Sequence, residues 1–307
     1  MQYPSRRDFL TQAATIAAGL AATPLAVKAL AAETSSPEIR LGLVTYMWGA
    51  DWDLPTLLEN LAKTKILAVE LRTGHAHRVE PSLNADQRRE VRKRFDESPV
   101  KCIGMGSAEE FHQPDPKAVE KAIENTKAFI KLSHDIGGSG VKVRPNALPK
   151  GVPVEKTIEQ IGKALNVVGA FGESYGQQIR LEVHGGAARL PIIKQIMDVA
   201  SHPNVAVCWN SNVSDLEKPG LEYNFNLVKA RLGYTTHVRP LDSADYPFQE
   251  FIRLLVKACY RGWLLLEAGG KPADRIAALV HQRQLFERML AAAIGGAAPL
   301  PLRGRVG

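Results

Sequence analysis

Four stretches of the chain end in the same way. Ile179-Arg-Leu-Glu-Val-His-Gly-Gly186 is a short run that carries Glu182 and His184 into a pair of glycines. Val205-Ala-Val-Cys-Trp-Asn210 ends in an amide, Gly233-Tyr-Thr-Thr-His237 in an imidazole and Trp263-Leu-Leu-Leu-Glu267 in a carboxylate. From Glu182 the successive steps to Asn210, His237 and Glu267 are 28, 27 and 30 residues. One strand, one helix and two loops occupy roughly 30 residues. A polar group therefore stands at the end of each of four successive β-α units. Charged groups are rarely buried unless they are paired or bind a metal. In a closed β-α barrel such strand ends converge on one face, where active sites sit.

The rest of the chain supplies four more units. Strands are expected at Ile39–Tyr46, Ile66–Arg72, Val100–Gly106 and Val141–Arg144. Asp53-Leu-Pro, Asn84-Ala-Asp-Gln and Asp115-Pro read as helix starts, since Asp and Asn are good N-caps and Pro is tolerated in the first turn. Further helices are expected over 153–175, 189–200, 225–231, 245–260 and 272–293. Eight strands alternating with eight helices predict an α/β fold, a (βα)8 barrel spanning 39–294. A doubly wound open sheet is the other arrangement of such units. No G-x-G-x-x-G follows the first strand to support it.

The 307-residue length suits one barrel, which takes about 250 residues. Ser5-Arg-Arg-Asp-Phe-Leu10, an Ala-rich apolar run from Ala13 to Val27 and Ala29-Leu-Ala31 have the order of a twin-arginine signal peptide. The expectation is a signal over 1–31, a polar linker over 32–38 and a flexible tail over 295–307. Such a chain is exported by the twin-arginine translocation machinery to the periplasm or beyond. The formal charge is +7, of which the signal carries +2, and no basic stripe interleaved with aromatics suggests nucleic acid. No membrane span is expected in the mature chain. Cys102, Cys208 and Cys259 make no disulfide framework and lie in or beside apolar runs, so burial is expected for them.

Glu182, His237 and Glu267 offer oxygen and nitrogen donors without a cysteine. That favours Mn²⁺, Mg²⁺ or Co²⁺ over Zn²⁺. Taken singly, a strand-end Glu is more often in a salt bridge and a lone His more often a structural hydrogen bonder. The regular recurrence favours a shared divalent metal. Two carboxylates at such an ion can move a proton between carbons through an enediolate, each acting as general acid or base.

The chain resembles the xylose-isomerase-like TIM barrels, a family of tagatose-epimerase-type sugar isomerases and epimerases, inosose dehydratases and the endonuclease IV branch. The residues that carry the resemblance are Leu-Glu-Val-His at 181–184, Cys-Trp-Asn-Ser-Asn at 208–212, Thr-His-Val-Arg at 236–239 and Gly-Trp-Leu-Leu-Leu-Glu at 262–267. The resemblance implies Glu182, Asn210, His237 and Glu267 as metal ligands, with the two glutamates as the acid/base pair.

This chain departs from the family pattern in three places. Asn210 stands where the family has Asp, which removes one negative charge from the ligand set and weakens it. Val213 and Ser243 replace a His and an Arg that many sugar epimerases carry, with Asn212 and Arg239 the nearest substitutes. Tyr46, Trp48, Glu70, His112, Arg144, His184, Asn212 and Arg239 are the substrate-binding candidates. His75 and His77 are loop residues on the same face. The expected activity is isomerisation or epimerisation of a small sugar or polyol. Keto-polyol dehydration and non-catalytic sugar binding by an exported barrel are the alternatives. A homo-oligomer is compatible with the sequence.

Overall fold

The computed structural model describes residues 37–295. The expected signal segment, most of the linker and all of the tail except Gly295 lie outside the described residues. Among the described residues there are eight strands: β1 (Glu38–Val44), β2 (Ala68–Arg72), β3 (Lys101–Glu110), β4 (Gly140–Arg144), β5 (Gln178–Glu182), β6 (Val205–Cys208), β7 (Thr235–Val238) and β8 (Arg261–Leu266). Eight α-helices follow them in turn: α1 (Leu54–Thr64), α2 (Ala85–Asp96), α3 (Pro116–Asp135), α4 (Val154–Glu173), α5 (Leu190–Val199), α6 (Leu221–Val228), α7 (Phe248–Lys257) and α8 (Arg275–Ile294).

All strand pairs are parallel, in the order β6-β5-β4-β3-β2-β1-β8-β7. The sheet closes between β6 and β7 through two parallel bridges, Val207 with Leu232 and Asn210 with His237. The second bridge includes a 2.6 Å hydrogen bond from the His237 amide to the Trp209 carbonyl. Asn210 and His237 are thus held side by side by the barrel's own closure.

Helix starts follow the sequence signals. Asp53 accepts from the Thr56 amide, Asn84 and Gln87 form a capping box, and Asp115 accepts from the Lys117 amide. Three helices begin elsewhere than expected. The sixth helix starts at Leu221, directly after Gly220. The seventh starts at Phe248, after Pro247, with the Asp245 carboxylate paired to Arg239, and the eighth starts at Arg275, where Asp274 accepts from the Ala277 amide.

The apolar residues form two clusters. The large one lies between strands and helices, with Leu57, Leu61, Ile130, Ile161, Leu165, Ile193 and Phe251 from the helices against Leu43, Val69, Val141 and Leu181 from the strands. The small one, Val44, Ala68, Ile103, Trp263 and Leu265, comes from strands alone and fills the inside of the barrel. Strand residues alternate in direction. Glu70 and Arg72 therefore share the inner face with Ala68, as Lys142 and Arg144 share one face of β4. A register shift between β2 and β3 at Val69/Glu70 accompanies Gly104, whose φ of +149° suits glycine. Gly106 leaves room for the Glu70 carboxylate: a Cβ there would lie 2.8 Å from Glu70 Oε1.

Cys102 and Cys208 are buried as expected. Cys259 is exposed, which corrects the sequence reading. It sits in the left-handed turn between α7 and β8, at φ +52°, where the chain leaves the helix on the surface. Among the described residues no helix is long and apolar enough to cross a membrane.

Candidate metal centre and active-site pocket

Glu182 ends β5, Asn210 follows β6, His237 lies in β7 and Glu267 follows β8. Their side chains meet at the mouth of the barrel. One ligand atom each from Glu182, His237 and Glu267 can be chosen so that all lie within 4.8 Å of one another. His237 Nδ1 is 3.3 Å from Glu182 Oε1 and 3.6 Å from Glu267 Oε2. The Asn210 amide nitrogen donates to Glu182 Oε1 at 2.9 Å and to Glu267 Oε2 at 3.2 Å. Donors bonded at about 2.0–2.3 Å to one ion are separated by about 3–4.5 Å. The spacing of these side chains therefore fits a divalent metal.

The other ring nitrogen of His237 supports the same fit. Nε2 lies 3.2 Å from Glu70 Oε1, and both side chains are fully buried. A carboxylate behind an imidazole fixes the ring and raises its basicity, as at metal-bound histidines. Burial opposes the imidazolium, yet Cys208 first, then the carboxylates of Glu70 and Glu267, outweigh it and hold the His237 pKa well above its ordinary value. Glu70 is itself held below the usual carboxylate range: burial works against its charge, and His237 and Lys142 prevail.

The sequence reading did not single out Lys142. It lies in the middle of β4 with 2 % of its side chain exposed, and its Nζ is 2.8 Å from Glu182 Oε2. Burial disfavours both charges, but each keeps the other ionised. The Glu182 pKa lies well below the usual carboxylate range, through Lys142 first and His237 next. The Lys142 pKa is raised by Glu182, Glu267 and Glu70. The signal that points to Lys142 is a lysine flanked by Val141 and Val143 inside a strand that is buried on both faces.

A pocket of about 560 Å³ opens over this group. Glu182, Asn210, Glu267 and Lys142 line its floor, and His184, Arg144, Asn212, Arg239 and Tyr46 line its walls, together with Arg72. His184 Nδ1 pairs with Asn146 Oδ1 at 2.9 Å, and burial lowers its pKa. Arg144 is tied to Glu110 at 2.5 Å and Arg239 to Asp245 at 2.7 Å. The Asn212 amide donates to the carbonyls of Val183 and Asn210 and ties two loops of the mouth together.

Three candidates stand apart from the pocket lining. Glu70 lies behind His237. Trp48 is buried and donates its indole N–H to the Gly269 carbonyl at 3.1 Å. His112 is buried beside Glu110, 3.6 Å away, and contacts Gln113. His77 is a structural group: its two ring nitrogens bond the Arg72 carbonyl and the Val79 amide.

The family model described as "Xylose isomerase-like TIM barrel" matches residues 58–212. The chain belongs to that family. The matched segment holds Glu182 and Asn210; His237 and Glu267 join them through the fold. Among solved structures, an L-ribulose 3-epimerase superposes with a TM-score of 0.71 at 15% identity, covering 86% of this chain and 100% of that one. The IOLI protein, solved with a zinc atom bound, gives 0.67 at 14% identity over 85% of this chain and 100% of that one. A probable 3-DHS dehydratase from Bacillus anthracis gives 0.62 at 11% identity over 81% and 98%. At these identities the likeness is one of fold. No curated protein matches the chain by sequence.

Proposed function

We propose that the protein is a metal-dependent isomerase or epimerase acting on a small sugar or polyol. The observation that supports this is the convergence of Glu182, His237 and Glu267 under a polar pocket. Mn²⁺, Mg²⁺ or Co²⁺ is the proposed ion, with Zn²⁺ less suited to an oxygen-rich set. A metal bound there supplies a Lewis acid that polarises the substrate carbonyl and stabilises developing negative charge.

The chain's own residues do the positioning and move the proton. Glu267, with 15 % of its side chain exposed, is the carboxylate best placed to meet a substrate C–H. Glu182 is held by Lys142, His237 and Asn210, so its free orientation is small. The two carboxylates form a pair across one substrate carbon. One takes a proton from a hydroxy-ketone to give an enediolate, and the other returns it. Return to the opposite face gives an epimer, and return to the next carbon gives an isomer. Loss of a β-hydroxyl gives dehydration instead. One observation favours keeping that second outcome: the Lys142 ammonium reaches the pocket and can hydrogen-bond a departing hydroxyl.

Calorimetric titration with Mn²⁺ tests the reading. One ion per chain is expected for the wild type, with binding lost in His237→Gln. Tight sugar binding by a chain that takes no metal would replace the enzyme with an exported sugar-binding barrel. Export is proposed from Arg6 and Arg7. Replacing both by Lys is expected to leave the precursor in the cytoplasm, and unchanged export would contradict the assignment.

A further inference from the structure

Three of the cations that line the pocket each face a carboxylate. Lys142 faces Glu182 at 2.8 Å, Arg144 faces Glu110 at 2.5 Å and Arg239 faces Asp245 at 2.7 Å. Arg72 has no such match. It ends β2 and lines the pocket, yet among the described residues its guanidinium meets no carboxylate. Its Cζ lies 5.5 Å from the centre of the Tyr46 ring, and Tyr46 lines the pocket beside it. An arginine held against an aromatic ring keeps its planar fork of N–H donors free for a second partner.

The floor of the pocket does not supply that partner. Asn210, between Glu182 and Glu267, brings an amide and no charge. With a divalent ion in place, the carboxylates of Glu70, Glu182 and Glu267 would be offset by the ion and the Lys142 ammonium, and the buried Arg180 guanidinium adds a further positive charge near Glu70. Arg72 remains as an excess positive charge in a concave, partly desolvated site, where field lines are focused and anions collect.

We propose that the natural substrate is anionic: a sugar or polyol bearing a carboxylate or a phosphate that Arg72 receives through two parallel hydrogen bonds. The reacting carbon then lies over Glu182 and Glu267 while the acidic group lies at the Arg72–Tyr46 wall. The proposal rests on the proton-transfer reading for the reaction, but the preference for a charged ligand stands on Arg72 alone. Two N–H···O⁻ bonds to one planar group fix orientation as well as affinity. Arg72 is accordingly a specificity-determining residue, with no proton to move.

The test is calorimetric binding to the full chain, run with and without Mn²⁺. D-Galacturonate is the carboxylate probe, D-fructose 6-phosphate the phosphate probe and D-fructose the neutral one. One of the two anions is expected to bind about tenfold or more tightly than D-fructose. The tighter of the two tells which acidic group the site takes. Arg72→Met is expected to bring anion and neutral sugar to near parity without changing Mn²⁺ affinity, which also shows that the variant is folded. Arg72→Lys should keep part of the preference. No preference for either anion in the wild type, including no measurable anion binding, would overturn the proposal. So would a full preference retained in Arg72→Met. Because the comparison is also made without Mn²⁺, a chain that takes no metal still reports its charge preference, and failure of the metal reading is seen separately.

Discussion

Lys142 Nζ lies 2.8 Å from Glu182 Oε2 in the middle of the barrel mouth, with 2 % and 1 % of the two side chains exposed. Each of these ions depends on the other, because burial of an unpaired charge costs several kcal/mol. Lys142→Met leaves Glu182 with only His237 as an ion-pair partner, which it shares with Glu70 and Glu267. The metal-free variant is expected to lose about 3–5 kcal/mol of stability in urea denaturation. A saturating divalent metal should restore much of that loss, since a ligand that binds only the folded state stabilises it. A variant as stable as the wild type without metal would show that the pair carries no structural weight.

Asn210 offers a second point of control. Its amide nitrogen bonds both Glu182 and Glu267, which holds two carboxylates together without adding charge. Asn210→Asp replaces the donor by a third anion at the same place. The metal-free protein should become less stable, because like charges then face each other at close range. Metal affinity should rise by roughly tenfold or more, since the anion adds a stronger ligand. Manganese titration by calorimetry reads this directly, and equal or weaker affinity in the variant would contradict it.

A third expectation concerns pH. Asp215 is fully buried, and its Oδ2 accepts from the Asn212 amide at 2.9 Å and from the Tyr246 hydroxyl at 3.0 Å. Burial pushes its pKa up to about 7. A carboxyl raised above its unfolded value binds its proton more tightly when folded. Its contribution is complete below about pH 4 and is lost as pH rises to about 7. The span of about three units corresponds to roughly 4 kcal/mol at most. Asp215→Asn should therefore flatten the fall in stability between pH 4 and 7 relative to the wild type. An identical pH profile for both proteins would rule out Asp215 as its source.

The sequence made most of this site readable, for a physical reason. Glu182, His237 and Glu267 each end an apolar run, and in a barrel of regular β-α units equal spacing along the chain becomes convergence in space. The caps at Asp53, Asn84 and Asp115 were readable because they act within four residues. Lys142 was hidden because its role comes from the inward alternation of β4 and from Glu182 on the neighbouring strand, a contact no local pattern shows. Glu70 looked like a pocket residue from its place near the end of β2. The register shift at Gly104 and the space left by Gly106 set its carboxylate behind His237 instead. The seventh helix was expected from Asp245, but it begins at Phe248, and the Asp245 carboxylate pairs with Arg239.

The central claim is that Glu182 and Glu267 exchange a proton with a substrate carbon at a metal site they share with His237. Hydrogen exchange from D₂O into a panel of ketoses, inososes and their acidic counterparts measures that step before any choice of product. With Mn²⁺ bound, at least one panel member is expected to take up deuterium next to its carbonyl. Removing the metal, or introducing Glu182→Gln or Glu267→Gln, should abolish the uptake while far-UV circular dichroism stays that of a folded barrel. Deuterium uptake that persists in both glutamine variants, or tight binding of a panel member with no uptake by the metal-loaded wild type, would contradict the account.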